Sequence, residues 1–572
     1  MQPPLRKIQE REHRKCPYLD TVDRKVLDFD LEKECSISLS HKNVYICLVC
    51  GVYLQGRGEN THAYIHSLEQ EHHVFLNVET KKSFPVEDEI TRFYCLPDNY
   101  EVFDPSLNDI TMALDPEYTP EDLKHLDENN RIYRVPSGDD YLPGVMGMNV
   151  IGKTDYINVV VEALSHVRPI RDFFLIPSNY AYSKSPLVHA FGVLMRKLWS
   201  HYRFKCHVSP HEFVNEVVRS SKERFTVGER KDASDFLRWL VNALRLGLRD
   251  KTHSTLAGVS PTETTVIDFC FRGRIETTAK KFTLAPATKR VRAGEAGDGN
   301  EGDPNGDPNG DPNGDPSGDP KEKNYTEYEV STTTTTGEFL LLSLDLPPLP
   351  LFKNKHGDAV VQQLPLYQLL AKFDGAKPTK EIWNNVEKTY RIVALPRFLL
   401  LNICRFTKNE FFFEKDTSIV LFPVRDLEMR DFFFPPVRAA SRDIVLRMSV
   451  TPLRAFITQN GESCEGEEGL DALCAHALAM VERGGMLLPN MTCTKYDLVA
   501  NICHDVEVKE EERQTAAEQN PVESGRYRVH LRNSANNMWY EVQELLVKET
   551  QPELVSVSES SILVYQQQAG GE

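Results

Sequence analysis

Apolar residues return with two different periods along this chain. In Thr154–Leu164, Pro186–Trp199 and Asp232–Leu246 they recur every three or four positions, and in the last stretch Phe236, Leu237, Leu240 and Leu244 share one face. That spacing predicts amphipathic helices. Farther on, Arg397–Cys404, Ser418–Phe422, Tyr496–Ile502, Tyr527–Leu531 and Met538–Val542 are short runs rich in β-branched and aromatic residues, the pattern of strands. Helices first and strands later predict an α+β fold.

Two stretches break the pattern. Gly302–Pro320 repeats Gly-Asp-Pro-Asn with a period of four. Proline removes a backbone donor, glycine adds chain entropy, and the tract holds no apolar side chain whose burial could offset its ordering. It predicts a disordered insertion over 292–324. Between 439 and 492, Asn460–Gly469 is acidic and glycine-rich while Leu470–Glu482 has helical apolar spacing, which predicts a partly helical insertion. At 572 residues the chain exceeds the ~250–300 at which a single core stops growing. We expect a disordered, charged stretch over 1–15, a compact Cys/His-rich unit over 16–110, a polar linker with a helix over 111–140, and a large domain over 141–567 that carries both insertions.

An apolar fraction of 40% and a charged fraction of 26% fit a soluble globular protein. The net charge of -17 argues against a broad basic surface for nucleic acid, because phosphate binding draws on Lys and Arg displacing counterions. Lys289–Arg292 and Arg6–Lys15 are short basic runs that suit at most a local RNA contact and otherwise read as solvated surface. No N-terminal stretch joins a positive start to an apolar run of ~7–15 residues, and no apolar run reaches ~18, so the expectation is an intracellular chain with no membrane segment.

Five of the twelve cysteines lie within the first 95 residues, beside several histidines. Clustering of this kind points to metal rather than to a secreted disulfide framework. Cys47 and Cys50 form a C-x-x-C followed by Gly51, with His66 and His72 downstream. Two thiolates and two imidazoles around one ion suit zinc. Cys16, Cys35, His62 and His73 are further donors nearby, so spacing alone leaves the ligand set open. A unit this small needs such a staple.

The stretches Cys47-Leu-Val-Cys-Gly51, Gly56-Arg-Gly58, His62-Ala-Tyr-Ile-His66 and His72-His73 resemble the zinc finger found in ubiquitin-specific proteases. The resemblance implies a small α/β finger with one structural zinc, Zn2+, held by Cys47, Cys50, His66 and His72. Fingers of this kind bind the ubiquitin tail with an arginine and an aromatic wall. Arg57 matches the arginine, but Tyr45-Ile46 replaces the usual tryptophan and Gln55 a frequent cysteine, which argues against ubiquitin binding here.

Gly147-Met-Asn-Val-Ile-Gly-Lys-Thr-Asp-Tyr156 resembles the Gly-Leu-x-Asn-Leu-Gly-Asn-Thr-Cys-Tyr signature that opens the catalytic domain of the same family. Further landmarks follow in family order: Asp232-Ala233, Phe236-Leu237, Phe271-x-Gly273, Arg405-Phe406, Phe422-Pro423, Tyr496-Asp497-Leu498, Gly525-x-Tyr527 and Trp539-Tyr540. This implies a papain-like ubiquitin-specific protease fold of thumb, palm and fingers. The family hydrolyses amides with a Cys thiolate, a His base, an orienting Asp or Asn and an amide that binds the oxyanion.

By position, Asp155 replaces the nucleophile, Arg526 the histidine, Gln543 the orienting residue and Val150 the oxyanion donor, with Asn149 at a variable place. An arginine stays protonated and cannot act as a base. An aspartate attacking an amide would need an anhydride intermediate and a base that is missing. We therefore expect no catalytic residues, and an ion pair of Asp155 with Arg526 in their stead. Residues 274–403 hold no cysteine, so the second zinc of the family's fingers is expected to be absent. Cys206, Cys270, Cys404, Cys464, Cys474, Cys493 and Cys503 lack a nucleophile motif and read as small hydrophobes, and His504 as structural.

Cys16-Pro-Tyr-Leu-Asp20, Cys35-Ser-Ile-Ser-Leu-Ser-His41, Phe93-Tyr-Cys-Leu-Pro-Asp-Asn-Tyr100 and Arg405-Phe-Thr-Lys-Asn409 resemble the inactive branch of the family that is associated with the spliceosomal tri-snRNP. That resemblance implies a non-catalytic pseudo-deubiquitinase in the nucleus. It would act as a scaffold in pre-mRNA splicing and support assembly or stability of the tri-snRNP, with tri-snRNP proteins as partners. Two rival classes are a ubiquitin-binding regulator without hydrolase activity and an unorthodox isopeptidase.

Overall fold

The computed structural model describes residues 15–78, 92–128, 130–249, 265–284, 328–348, 362–381, 385–408, 413–435, 442–446, 448–464, 469–483, 493–506 and 520–568. The Gly-Asp-Pro tract, the rest of the 292–324 insertion and residues 1–14 fall outside them.

The N-terminal unit is an antiparallel sheet of β1 (Val44–Cys47), β2 (Tyr53–Gln55), β3 (Val74–Asn77), β4 (Phe93–Cys95) and β5 (Tyr100–Glu101), in the order β2-β1-β3-β4-β5. Every residue of β1 and β3 is buried, because this small sheet is covered on both faces. On one face Val44, Ile46, Val74 and Leu76 meet Leu27, Phe29 and Ile110 of the helix α2 (Asn108–Leu114). On the other, Tyr45, Cys47 and Phe75 meet Ala63 of α1 (His62–Glu69).

A helical lobe follows, made of α3 (Pro120–Leu126), α4 (Asp155–Ser165), α5 (Arg168–Leu175), α6 (Pro186–Trp199), α7 (His211–Ser220), α8 (Ala233–Gly247) and α9 (Val266–Phe271). Thr119 and Asp122 form a capping box that starts α3, and Asp232 caps α8 by accepting from the Ser234 amide. All residues of α4 are buried, so it is a central helix rather than an amphipathic surface one. The residues between the N-terminal unit and α4 are packed: Tyr118 and Val135 join the main core, and Asp127 pairs with the buried Arg171 at 2.6 Å. Two short pairs, β6 (Tyr133–Arg134) with β7 (Asp140–Tyr141) and β8 (Gly147–Met148) with β9 (His207–Val208), lie in this lobe.

Two larger sheets complete the fold. One is a long hairpin of β10 (Gly273–Leu284) and β11 (Tyr328–Phe339), extended by β14 (Thr379–Glu381) and β15 (Val386–Ala394) in the order β11-β10-β15-β14. The other runs β12-β16-β25-β21-β22-β23-β24, from β12 (Leu342–Asp345) and β16 (Phe398–Cys404) through β25 (Ser560–Gln567), β21 (Lys495–Asp505), β22 (Arg526–Arg532) and β23 (Trp539–Gln543) to β24 (Leu546–Thr550). The short strand β20 (Leu427–Glu428) adds to β21, and β13 (Gln363–Pro365) pairs with β19 (Ile419–Leu421) and β17 (Phe406–Lys408) with β18 (Phe413–Lys415). One face of the second sheet packs on α4, α8 and α9 through Leu400, Ile502, Val529 and Val564. This is an α+β fold.

The predicted elements coincide with observed ones. The helix expected over Pro186–Trp199 has those bounds, and Phe236, Leu237, Leu240 and Leu244 are all buried on α8. Described parts of the 439–492 insertion form helices Arg442–Val445, Val450–Gln459 and Leu470–Arg483, which bury Leu453, Phe456, Ile457, Leu473, Ala477 and Met480 among themselves as a separate small core.

A buried charge joins the N-terminal unit to the helical lobe. Asp30, 3% exposed, meets Lys197 of α6 at 3.1 Å, Arg203 at 2.7 Å and the Ser209 amide at 3.2 Å. Burial alone would raise the Asp30 carboxyl, but Arg203 and Lys197 overcome it and hold the group well below the usual carboxylate range. Replacing Asp30 by Ala leaves two buried cations without their counter-ion, each with only a backbone carbonyl, and is expected to lower unfolding stability by roughly 3–5 kcal/mol in urea titration. A loss under ~1 kcal/mol, the size of an exposed pair, would contradict this. Because the folded-state pKa is depressed, the unfolded chain takes up the proton first. The contribution is therefore present above pH ~4 and fades as pH falls below it, in the wild type and not in Asp30→Ala.

Candidate functional site

Cys47 ends β1, and Cys50 sits in the turn to β2, where the Gly51 amide donates to the Cys47 carbonyl at 2.8 Å. Gly51 has φ +77°, and a Cβ there would lie 2.5 Å from the Val26 carbonyl oxygen, so only glycine closes this turn. His66 comes from α1 and His72 from the loop before β3. The four donor atoms lie within 4.8 Å of one another: Cys50 Sγ to His66 Nε2 is 3.4 Å, Cys47 Sγ to His72 Nδ1 3.6 Å, and His66 Nε2 to His72 Nδ1 3.1 Å. Metal bonds of ~2.0–2.3 Å place tetrahedral ligand atoms about 3.3–3.8 Å apart, which these spacings approach. The Cys47 thiol hydrogen-bonds to Cys50 and depresses its pKa, so a thiolate forms readily at Cys50.

The other candidate donors are turned elsewhere. His73 Nδ1 contacts the Leu96 carbonyl at 2.8 Å and its ring lies 4.0 Å from that of Tyr18. Cys35 Sγ accepts from the Ser38 amide, Cys16 packs in the opposite core with Cys95, and His62 opens α1 outside the cluster. Arg57 is engaged within the finger, over the Tyr94 ring at 4.1 Å and donating to Asn99 Oδ1 at 3.0 Å.

The second location is the cleft between α4 and β22. Asp155, the first residue of α4, is 2% exposed. Its Oδ1 accepts from Arg230 Nε at 2.7 Å and its Oδ2 from the Tyr527 amide at 2.9 Å. The pairing of Asp155 with Arg526 is thereby overturned. Alternation along β22 turns Tyr527 inward and Arg526 out to solvent, where Arg526 reaches Glu544 at 3.5 Å. Arg230 was not legible beforehand, since it lies 75 residues from Asp155 in an ordinary polar loop. The one available signal is that a buried carboxylate demands a cation.

The remaining positions complete the picture. Gln543 ends β23 opposite Leu546, Val150 precedes α4 in a half-buried loop, and Asn149 is bonded to Ser209 Oγ. His504 is fully buried, with the Phe406 and Tyr527 rings at 5.2 and 4.6 Å. Burial, with Lys415 and Arg230 nearby, pushes its pKa down to about 3, so the ring stays neutral at physiological pH.

Comparison with known proteins assigns the family. Residues 146–565 match the family described as Ubiquitin carboxyl-terminal hydrolase, and residues 34–107 the Zn-finger in ubiquitin-hydrolases and other protein. The chain is 36% identical to human Ubiquitin carboxyl-terminal hydrolase 39 over 99% of its own length and 82% of the relative's. It is 31% identical to a Probable mRNA-splicing protein, ubp10, of Schizosaccharomyces pombe, over 96% of this chain and 88% of that one. Its fold is similar to that in the crystal structure of an essential yeast splicing factor, with a TM-score of 0.61 and 24% identity over 96% of this chain and 100% of that one. With its zinc-finger-like unit, its helical lobe and its split sheets, the chain belongs to the ubiquitin carboxyl-terminal hydrolase family.

Proposed function

We infer that this chain is a non-catalytic member of its family that works as a scaffold in pre-mRNA splicing, in the nucleus, supporting assembly or stability of the spliceosomal tri-snRNP. The observation that carries the non-catalytic reading is the Asp155–Arg230 pair at 2.7 Å. At the position matched to the nucleophile stands a carboxylate already committed to a guanidinium and an amide. At the position matched to the base stands Arg526, which keeps its proton at any cellular pH. Val150 has no side-chain donor for an oxyanion, and Gln543 stands in place of the Asp or Asn that would orient the base. The splicing reading is supported by the fission-yeast relative named an mRNA-splicing protein, which aligns with nearly the whole chain.

A protein without a reaction acts through its surfaces, and tri-snRNP proteins are the partners this reading assigns. The net charge of -17 favours protein contacts over a broad RNA interface. Ubiquitin capture by the finger is disfavoured, since Arg57 is spent on Tyr94 and Asn99. Zinc held by Cys47, Cys50, His66 and His72 would have a structural part, fixing α1 to the β1–β2 turn.

Three outcomes follow for the purified chain. Ubiquitin-amidomethylcoumarin releases no fluorophore above background, and Asp155→Ala changes nothing; turnover abolished by Asp155→Ala would sink the non-catalytic reading. Depleting the protein from nuclear extract lowers the tri-snRNP fraction in glycerol gradients, and adding back the recombinant chain restores it; an unchanged gradient would sink the scaffold reading. Elemental analysis finds about one zinc per chain, lost in Cys50→Ser together with cooperative melting of the finger, because such sites fold with their metal. Retention of full zinc by Cys50→Ser would remove it from the ligand set.

A further inference from the structure

Arg230 does more than neutralise Asp155. While its Nε holds Asp155 Oδ1, its Nη1 donates to the backbone carbonyl of Glu523 at 2.7 Å. Asp155 in turn holds the Tyr527 amide. One guanidinium and one carboxylate thus tie together the start of α4, the loop ahead of α8, the short helix Pro521–Ser524 and the start of β22. At the rim Lys153 pairs with the Glu523 carboxylate at 3.7 Å, both about half exposed. Inside, Gly525 lies so close to His504 that a Cβ would fall 2.2 Å from the ring carbon Cε1, and the Tyr527 hydroxyl accepts from the Ala233 amide at 3.2 Å.

Residue 155, 2% exposed, is covered by Arg230, which is itself tied to the Glu523 carbonyl, and by the Tyr527 amide. We propose that the Asp155–Arg230–Glu523 contact is an internal clasp that holds the helical lobe against β22 and shuts the cleft to an extended peptide tail. Asp155 is buried and bonded on both carboxylate oxygens, one of them by a charge-assisted bond, while the Arg230–Glu523 arm lies at the exposed rim. The residue that stands at the position matched to the nucleophile is then also the one that anchors the closed cleft. This rests on the non-catalytic reading, yet the two fail separately: turnover by the wild type would remove that reading, whereas the measurements below test the clasp alone.

The test uses the full chain carrying Asp155→Leu together with Arg230→Met, which removes both charges at once and so leaves neither buried without a partner. Hydrogen exchange read by mass spectrometry is expected to rise by about tenfold or more over 521–527, with β21 and β25 unchanged, as a local opening would give. Free ubiquitin titrated against the same variant is expected to bind about tenfold more tightly than to the wild type, as removal of a closed-state constraint requires. A folded double variant with wild-type exchange over 521–527, or with faster exchange and unchanged ubiquitin affinity, overturns the clasp. Should the double variant not fold, Lys153→Glu at the exposed rim sets like charges against Glu523. Several-fold faster exchange over 521–525 supports the clasp, and unchanged exchange there overturns it.

Discussion

The Asp155 carboxylate sits almost out of reach of water, and a charge in that state is tolerated only when its oxygens are met. Arg230 and the Tyr527 amide meet both. From this one requirement much else follows. The start of α4 cannot separate from β22 without stranding the carboxylate, and the loop before α8 must deliver an arginine to this point. On the reading proposed above, the place where a hydrolase would expose its nucleophile is taken by this ionic junction.

A second junction of the same kind fixes the N-terminal unit. Asp30 lies between Lys197 and Arg203, and Arg24 adds a partly exposed pair with Asp109 within that unit. Phe204 enters the same apolar cluster as Leu27, Phe29 and Ile110, so the unit and the helical lobe share a core as well as a charge. Buried ion pairs add little net stability compared with apolar replacements, but losing one partner is costly. Both junctions therefore act as registers that define which surfaces meet. The scaffold role proposed above calls for such definition.

Much of the fold was legible from periodicity. The 3.6-residue pattern of α6 and α8 and the apolar and aromatic positions of β16, β21 and β22 report burial of one face or of a whole strand, which local sequence records. The hairpin of β10 and β11 was not legible, because the Thr-rich β11 is exposed along most of its described length and carries no alternation of apolar and polar residues. The metal cluster was half legible. The C-x-x-C and the histidine spacing marked the neighbourhood, but only the turn of His73 toward Leu96 separates it from His72. The pairing of Asp155 with Arg526 failed for a geometric reason, the two-residue alternation of a strand. Arg230 failed for a topological one, its distance along the chain.

The central claim is that function was lost in several roles at once, so that the fold persists without its chemistry. Single reversion tests it most directly: Asp155→Cys restores a thiol at the start of α4, and its hydrolysis of ubiquitin-amidomethylcoumarin is compared with the wild type. With Arg526, Gln543 and Val150 still in place and Arg230 still at the cleft, the account predicts no turnover above background. Sustained turnover by Asp155→Cys would show that one residue alone separates this scaffold from an enzyme, and would contradict the account.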